Sequence, residues 1–347
     1  MRRLTALVVG VGALGGELAR LLGLLGAGRV IVIDGDRVEA SNLPRSCWFF
    51  SNREAIGEPK VAVLAREARS RFPETDWLPI EQEIADVGFG RIAEAPILFS
   101  CVDSDLARLE IAYIATRLNI PVADGGLAAP NYSAGRFSWF AGRQAACFGC
   151  MLRPAKRREL LESWDATVRP CGGAGEAGGF SSTPIMAGLV AAVQLELGLR
   201  QLGSETGASG ESYSVNMELY PNLSFTRFEI PLSRECPFHG ESSLQTARSP
   251  GLRSTVQQLL DSAQATTLVL DWPICTSAEC LRCGRRWRPM QRLARLRRRG
   301  CCPACGGQRI LEREVARAIP AHSPLSSEPL SALQLPADHL FTVAKTP

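Results

Sequence analysis

The chain has 347 residues, of which 46% are hydrophobic and 21% are charged. These fractions exclude an intrinsically disordered chain, and the length allows one large and one small domain. The formal net charge of +4 is too small to indicate nucleic acid by itself. No apolar run reaches about 18 residues, which argues against a membrane span. The N-terminal apolar run contains Glu17 and Arg20 and lacks a small-residue cleavage site, which argues against secretion.

Strands and helices alternate along the first part of the chain. The predicted order is a strand at 4–10, a helix at 13–25, a strand at 29–34, a helix at 60–71, a strand at 97–102, a helix at 106–118 and a strand from Pro121. This alternation predicts an α/β fold with a Rossmann-like, doubly wound and mostly parallel sheet. A helix at 184–202 and two antiparallel strands at 213–219 and 223–230 are predicted to follow.

Composition predicts the boundaries of four regions. These are an ATP-binding domain at 1–240 with a flexible segment at about 151–183, a linker at 241–251, a zinc-ribbon unit at 252–312 and a C-terminal tail at 313–347. The segment and the linker are rich in Gly and Ser, and the ribbon unit is rich in Cys and Arg. Many of the twelve cysteines form C-x-x-C or C-x-x-H pairs, which indicates metal binding in a reducing cytoplasm rather than disulfides.

A glycine-rich motif joins the first predicted strand to the first helix. Gly10, Gly12 and Gly15 follow the G-x-G-x-x-G spacing, and Gly16 comes next. Such glycines let the backbone approach a phosphate, and the helix N-terminus supplies N–H groups and a positive dipole. Asp34 ends the second strand, where a carboxylate can bind ribose hydroxyls. By itself the motif indicates a nucleotide site and fits a nicotinamide-dependent oxidoreductase as well.

Polar groups beyond Asp34 favour ATP over nicotinamide. Asp36 follows directly, Arg45 could hold a terminal phosphate through two hydrogen bonds, and Lys60 could reach a triphosphate as a point charge. Asp103 comes just after a buried strand, at the sheet edge where ligands bind, and its carboxylate suits Mg²⁺ held together with phosphate oxygens. Each of these residues alone could equally form a surface ion pair, whereas together they predict a Mg-ATP site.

Four segments in the same order resemble the ThiF superfamily, which contains sulfur-carrier adenylyltransferases and ubiquitin-activating enzymes. The segments are GVGALGG, DGDRVEASNLPR, GEPK and CVDSDLAR, and the resemblance spans roughly residues 4–239. The resemblance implies that Asp34 binds ribose, that Asn42, Arg45 and Lys60 bind the triphosphate, and that Asp103 binds Mg²⁺. It also implies ATP-dependent adenylation of a carrier protein that ends in Gly.

The chain departs from the family pattern at three places. Ser46 stands where the family usually has Gln, and Ser104 where it usually has Asn. Relatives also have a helix before the first strand, which sends an Arg into a neighbouring site. Arg2, Arg3 or a partner protein could replace that Arg. Relatives are usually dimers, so the resemblance implies a homodimer.

Two cysteine patterns predict structural zinc. Cys147-x-x-Cys150 and Cys236-x-x-His239 are half-sites for a tetrahedral ion, and the resemblance implies that they form one site, with His239 in place of a fourth Cys. Unligated core cysteines are the alternative. The second pattern has the spacing of a zinc ribbon and consists of Cys280, Cys283, Cys302 and Cys305.

The ribbon contains many arginines and two further cysteines. We expect Cys275 and Cys301 to be bystanders, although either could exchange with a ligand. The arginines between the two C-x-x-C pairs could form a solvated face, a nucleic-acid site or a docking site for an acidic protein. If they bind a partner, we expect it to be an acidic carrier or conjugating protein rather than nucleic acid.

Cys171 differs from the other cysteines because it has no C-x-x-C neighbour. Relatives place a reactive Cys at the matching position, so the resemblance implies that Cys171 attacks the acyl-adenylate or takes part in sulfur transfer. A free thiol is only a few per cent ionised near neutral pH, so activation by Arg157, Arg158 or Arg169 would help. The alternative is an inert loop cysteine.

Three functions remain open at this stage; the first two share an adenylation step, and the third belongs to a different class. The first is activation of a ubiquitin-like protein by adenylation, followed by a thioester on Cys171 and transfer to a conjugating enzyme. The zinc ribbon and the tail PLSALQLPADHLFTV, similar to that of bacterial activating enzymes found with ubiquitin-like conjugation genes, favour it; that resemblance implies antiphage defence. The second is sulfur-carrier adenylation in thiamine or molybdopterin-type cofactor biosynthesis. The third is a nucleotide-gated nucleic-acid-binding module.

Overall fold

The structure of the protein is a computed structural model that describes residues 1–127, 133–165, 183–203, 211–239, 245–251, 253–336 and 338–345. The strands are β1 (Thr5–Val9), β2 (Arg29–Ile33), β3 (Asp76–Ile80), β4 (Ile97–Ser100), β5 (Val122–Leu127), β6 (Ala134–Phe140), β7 (Ser212–Glu218), β8 (Ser224–Ile230), β9 (Gln245–Arg248), β10 (Thr267–Cys280), β11 (Arg286–Trp287), β12 (Gln291–Arg292), β13 (Ile310–Pro320) and β14 (Leu340–Ala344). The helices are α1 (Ala13–Leu24), α2 (Lys60–Arg71), α3 (Phe89–Ile92), α4 (Asp105–Leu118), α5 (Phe148–Met151), α6 (Pro154–Asp165), α7 (Pro184–Gly203), α8 (Val256–Ala263) and α9 (Leu293–Arg299).

The described residues form two compact units. The first comprises residues 1–87, 92–157 and 176–240, and the second comprises residues 88–91, 158–175 and 241–347.

The first unit is built on an eight-stranded mixed sheet. Its strand order is β3-β2-β1-β4-β5-β6-β7-β8. The first five strands in this order are parallel to one another, and the pairs β5–β6, β6–β7 and β7–β8 are antiparallel. The predicted α/β class and the parallel-dominant central sheet are confirmed. Parallel strands are joined by crossover helices that cover the sheet, so the central strands β1, β2 and β4 are buried along almost their whole length.

The core of the first unit follows the alternation of side chains along the strands. On β1, Ala6 and Val8 face a core that also receives residues of α1, α2 and α7, whereas Leu7 is equally buried but lies outside that cluster. The helix α7 is apolar and long enough to cross a membrane by length and composition alone. Its buried residues, such as Val190 and Leu195, belong to this core, so its packing is that of an internal helix.

The second unit has a six-stranded sheet of its own. The strands β11, β10, β14 and β9 are neighbours in that order, and β12 and β13 also pair with β10. The sequence analysis assigned β9 to a linker and β14 to a tail, whereas the structure joins both to the strands beside the cysteine ribbon. The helix α8 packs its apolar side, including Val256 and Leu260, under this sheet together with Ile319 and Phe341. The ribbon lies between the end of β10 and the start of β13.

Candidate functional site

The glycine loop lies where β1 ends and α1 begins, as predicted. Gly10 has a φ of +85°, which disfavours other residues, and a Cβ there would lie 2.7 Å from the Cys101 carbonyl oxygen. A Cβ on Gly15 would lie 1.8 Å from the Gly10 carbonyl oxygen. Beside Gly12, by contrast, a Cβ would meet no described atom within 4 Å. The loop is therefore tight toward the sheet and open at the helix N-terminus, where free N–H groups can bind a phosphate.

Asp34 is fixed beside this loop by two backbone hydrogen bonds. Its Oδ2 accepts from the Val11 N–H at 2.8 Å and its Oδ1 from the Asp36 N–H at 2.8 Å. Burial raises the pKa of Asp34, and the nearby Lys60 ammonium and the two backbone N–H groups oppose that rise only in part. The carboxylate is thus oriented at the end of β2, where a ribose hydroxyl can reach it.

Lys60 begins α2 and lies among carboxylates. Its Nζ is 3.0 Å from Asp36 Oδ2, and its backbone N–H donates to the Asp36 carbonyl at 3.0 Å. Burial lowers the pKa of Lys60, but the carboxylates of Asp34, Asp36 and Asp103 outweigh burial and raise it overall. The site therefore holds an ammonium that is charged at neutral pH and mostly buried, which suits a polyphosphate.

Asn42 and Arg45 lie on a 3₁₀ helix, Ala40–Arg45, between these groups in the sequence. The Asn42 Oδ1 accepts from the Glu39 N–H at 2.9 Å, and the Arg45 Nε donates to the Ser41 carbonyl at 3.0 Å. Both side chains therefore make local hydrogen bonds in the structure. Their predicted contacts with a triphosphate stay a prediction.

Asp103 connects the charged site to an open cleft. Its carboxylate is exposed just after β4, and it acts electrostatically on Lys60. The same residue lines a cleft of about 640 Å³ whose opposite side is formed by β7 and β8, including Asn216 and Thr226. The lining is mixed in charge, with Arg108 and Arg136 beside the carboxylates of Asp105 and Glu218. A polar cleft of this size, open to solvent, can take an extended peptide.

The sequence analysis missed Asp124, which organises the wall of the cleft. Asp124 is 2% exposed, and its Oδ1 accepts from Ser100 Oγ at 2.7 Å. Arg108 Nε lies 3.2 Å from the same oxygen, and Arg136 Nη2 lies 3.1 Å from Oδ2. The side-chain amide of Gln194 also pins β4 to β5, donating to the carbonyls of Ser100 and Ala123 at 2.9 and 2.8 Å. One signal was available, because Asp124 is a carboxylate on the strand predicted from Pro121, and Asp103 follows the strand before it.

The first cysteine cluster brings together the four residues that the sequence analysis named. Cys147, Cys150, Cys236 and His239 place their ligand atoms within 4.8 Å of one another. The Sγ–Sγ distances from Cys147 are 4.0 Å to Cys150 and 3.7 Å to Cys236, too long for disulfides. Sulfurs bound tetrahedrally to one zinc ion would be about 3.8 Å apart, because the Zn–S bond is about 2.3 Å. A hydrogen bond from Cys147 lowers the pKa of Cys150, which favours the thiolate that a metal requires.

His239 in this cluster is oriented as a metal ligand would be. Its Nδ1 lies 3.0 Å from the Arg143 carbonyl oxygen. Its Nε2 is buried and has no hydrogen-bond partner within the described ranges. Metal-bound histidines commonly donate the second ring N–H to a carbonyl in this way. The donor set therefore fits a metal ion.

The second cysteine cluster consists of two C-x-x-C turns. Cys280, Cys283, Cys302 and Cys305 lie within 4.8 Å of one another, with 3.6 Å between the sulfurs of Cys280 and Cys305 and between those of Cys283 and Cys302. Burial opposes ionisation of Cys302, but hydrogen bonds from the Ala304 and Cys305 N–H groups outweigh burial and lower its pKa to about 6. Cys275 is buried and Cys301 exposed, and neither belongs to the cluster. Cys171, the predicted nucleophile, lies outside the described residues.

A glycine loop follows a parallel strand, beside a lysine that lies among carboxylates and next to an open cleft. This arrangement is typical of nucleotide-binding α/β proteins. The sequence profile of the ThiF family matches residues 1–238. The chain belongs to the ThiF family.

Curated relatives match over part of the first unit. The chain is 32% identical over 139 residues to human ubiquitin-like modifier-activating enzyme 7, covering 36% of this chain and 13% of that protein. It is 34% identical over 125 residues to the NEDD8-activating enzyme E1 catalytic subunit of Schizosaccharomyces pombe, covering 35% of this chain and 28% of that protein. It is 29% identical over 117 residues to the sulfur carrier protein ThiS adenylyltransferase of Escherichia coli, covering 33% of this chain and 46% of that protein. The chain thus spans less than half the length of each of these relatives.

Among solved structures, E. coli MccB with ATP has a TM-score of 0.51 and 18% identity. The alignment covers 69% of this chain and 67% of MccB. This likeness supports the fold of the first unit.

Proposed function

We propose that this protein uses ATP to adenylate the C-terminal Gly carboxylate of a ubiquitin-like protein. The observation that supports it most is the position of Asp103, which belongs both to the charged nucleotide site with Lys60 and to the open cleft. An adenylating enzyme needs such a junction, because the carboxylate must reach the α-phosphate. The family membership and the names of the relatives point to the same reaction.

The reaction is a displacement at phosphorus. An oxygen of the carrier carboxylate forms a bond to the α-phosphorus of ATP, the bond to the bridging oxygen breaks, and pyrophosphate leaves with the electron pair. The nucleophile is ionised at neutral pH, so the site has no proton to remove. The protein contributes position and positive charge: the glycine loop and Asp34 bind the nucleotide, while Lys60, Asn42 and Arg45 bind the triphosphate.

Magnesium fits this site through Asp103. The carboxylate is exposed, acts on Lys60 and is of the oxygen type that Mg²⁺ prefers, with phosphate oxygens completing the shell. When bound, the ion neutralises charge on the phosphates.

The carrier tail would lie in the cleft between Asp103 and β8. Arg108 and Arg136 stand on the wall of this cleft, held there by Asp124. Their charge suits the approach of a carboxylate at the end of an extended chain.

For the step after adenylation we propose a thioester on Cys171 and transfer to a conjugating enzyme, in a reducing cytoplasm and as part of antiphage defence. The support is the resemblance of the motif around Cys171 and of the C-terminal segment to bacterial activating enzymes. The likeness to the ThiS adenylyltransferase favours the second candidate, adenylation of a sulfur carrier. A non-reducing gel separates the two, because only the first predicts a carrier–enzyme thioester that Cys171→Ala abolishes.

We further propose structural zinc in both cysteine clusters, on the basis of the sulfur spacing described above.

We also propose a homodimer, and β8 supports it. This strand is the last of its sheet, and no described strand pairs with its outer edge. Leu223 beside it is 67% exposed and Phe225 on it is 53% exposed, so the start of this strand presents apolar side chains to solvent. Light scattering should give twice the mass of one chain, and Phe225→Lys should give monomer whereas Leu24→Lys, at an equally exposed leucine, should not. A monomeric wild-type protein would contradict the proposal.

ATP–pyrophosphate exchange with a Gly-ending ubiquitin-like protein tests the adenylation itself. Exchange should require the carrier and its terminal Gly, and Asp103→Ala should reduce it by about 100-fold or more. Glu74→Ala, at an exposed carboxylate of the same unit, should leave exchange unchanged. Cys171→Ala should also leave it unchanged, because the thiol acts after the adenylate forms. Exchange without any carrier dependence, or an Asp103→Ala enzyme of full activity, would refute the proposal.

A further inference from the structure

The arginine-rich ribbon of the second unit is not used by adenylation. Ten Arg and no Asp or Glu lie between Cys280 and Leu311. Residues 241–347 contain fifteen Lys and Arg against eight Asp and Glu, whereas residues 1–240 contain twenty-four against twenty-seven. The positive charge of the chain is therefore concentrated in the second unit, although the net charge of the whole is small.

Part of this charge is neutralised by neighbouring carboxylates. The ion pairs, all between 2.7 and 2.8 Å, are Arg286–Glu279, Arg313–Glu279, Arg288–Glu328 and Arg297–Glu312. These pairs use the glutamates that flank the ribbon. The arginines in them are consequently less able to recognise another molecule.

Other arginines are exposed around the first turn of the ribbon. The Leu281 N–H donates to the Arg309 carbonyl at 2.9 Å, and the Cys280 N–H donates to the Arg285 carbonyl at 2.9 Å. These bonds hold Arg282, Arg285 and Arg309 at one end of the ribbon, with Leu281, which is 56% exposed, beside them. In the part of the chain that the structure describes, no carboxylate forms an ion pair with these three guanidinium groups. We call Leu281, Arg282, Arg285 and Arg309 the knuckle face.

We propose that the knuckle face docks an acidic surface of a partner protein. An exposed apolar side chain beside unpaired guanidinium groups is complementary to an apolar spot that carboxylates surround. Guanidinium groups bind carboxylates through two parallel hydrogen bonds, and the paired arginines of the same ribbon already contact glutamates. This surface goes beyond the adenylation chemistry and does not depend on it.

The composition of the ribbon favours a protein over single-stranded nucleic acid. Single-stranded nucleic acid is usually bound by exposed aromatic rings on which bases stack. Trp287 is the only aromatic residue between Cys280 and Leu311, and it packs against the buried cluster that contains Cys275 and Leu293. The knuckle face thus offers charge and one leucine, without a stacking surface.

A charge-matched pair of full-length variants tests the proposal. The first combines Arg282→Glu, Arg285→Glu and Arg309→Glu. The control combines Arg248→Glu, Arg253→Glu and Lys345→Glu, which change the net charge of the same unit equally at exposed positions outside the ribbon. The probes are a short fluorescent peptide of Glu and Leu, the same peptide with Gln in place of Glu, and a short single-stranded oligothymidine, all at about 0.15 M salt.

The wild-type protein should bind the Glu peptide and not the Gln peptide, and the knuckle variant should lose at least about tenfold in affinity for it. The control variant should bind like the wild type. Equal losses in both variants, tighter binding of oligothymidine than of the Glu peptide, or no binding of the Glu peptide would overturn the proposal. Because the peptide is measured without ATP or carrier, failure of the docking surface is distinguishable from failure of adenylation.

Discussion

Asp124 is the residue on which the geometry of the cleft depends most. It is almost fully buried and faces two guanidinium groups, of which that of Arg108 has only 10% of its side chain exposed. Removing one partner of such a cluster leaves uncompensated charge in a place that water reaches poorly. The carboxylate therefore holds Arg108 and Arg136 in place in the lining of the cleft.

We predict that Asp124→Asn lowers the free energy of unfolding by about 3 kcal/mol, because Arg108 and Arg136 lose their counter-charge. Chemical denaturation followed by tryptophan fluorescence measures this. Asp76→Asn removes an ion pair with Arg29 whose carboxylate is 66% exposed, so it should cost no more than about 1 kcal/mol. Equal effects of the two substitutions would show that Asp124 has no special structural role.

Single site residues could be predicted from the sequence only where they belong to a recognisable motif. Asp34, Lys60 and Asp103 fall in motifs, and the structure places them together, although their roles toward ATP are untested. Asp124 on β5 meets Arg108 on α4 and Arg136 on β6, which are 16 and 12 positions away in the sequence, and only the tertiary fold brings them together. No local pattern contains that information.

At the scale of elements, two glycines of the G-x-G-x-x-G motif have different roles, one in the fold and one in phosphate binding. Gly15 is needed by the fold, since a Cβ there would collide with the Gly10 backbone. Gly12 has open space beside it, so the fold tolerates a methyl group there and only an approaching phosphate would meet it.

Gly15→Ala should therefore lower the melting temperature and ATP affinity together, whereas Gly12→Ala should lower ATP affinity and leave the melting temperature nearly unchanged. Thermal unfolding and calorimetric titration with ATP measure the two quantities. Gly188→Ala in α7, where a Cβ also meets nothing within 4 Å, shows what an added methyl group does away from the loop and should leave ATP affinity unchanged. If Gly12→Ala bound ATP normally, the open side of the loop would not be the phosphate site.

Strands were predictable when they were apolar throughout. The strands β1, β2 and β4 are buried on both faces, and their runs of Val, Ile and Leu indicated this. The sequence analysis did not identify β3 or β6. The first has the sequence DWLPI, with a proline inside, and the second begins with Ala and Gly, so neither shows the usual β-forming pattern over its whole length.

At the scale of the whole molecule, the two cysteine clusters belong to different units. The first cluster joins residues near 150 to residues near 236 within the first unit, and the second closes the ribbon of the second unit. A metal ion in either would join segments that are distant in the sequence, and structural zinc can contribute several kcal/mol or more to folding. Each metal should consequently stabilise its own unit.

We predict two zinc ions per chain, one in each cluster. Cys150→Ser and Cys305→Ser should each lower the zinc content to one ion, whereas Cys301→Ser, at an exposed cysteine next to a ligand, should leave two. Elemental analysis of the purified proteins measures the zinc content.

Limited proteolysis should then show cleavage within the second unit for Cys305→Ser and within the first for Cys150→Ser, because each unit has a separate core. Since the nucleotide site lies in the first unit, Cys305→Ser should retain ATP–pyrophosphate exchange. Loss of exchange in Cys305→Ser, or loss of both ions in either ligand variant, would show that the two sites do not act independently.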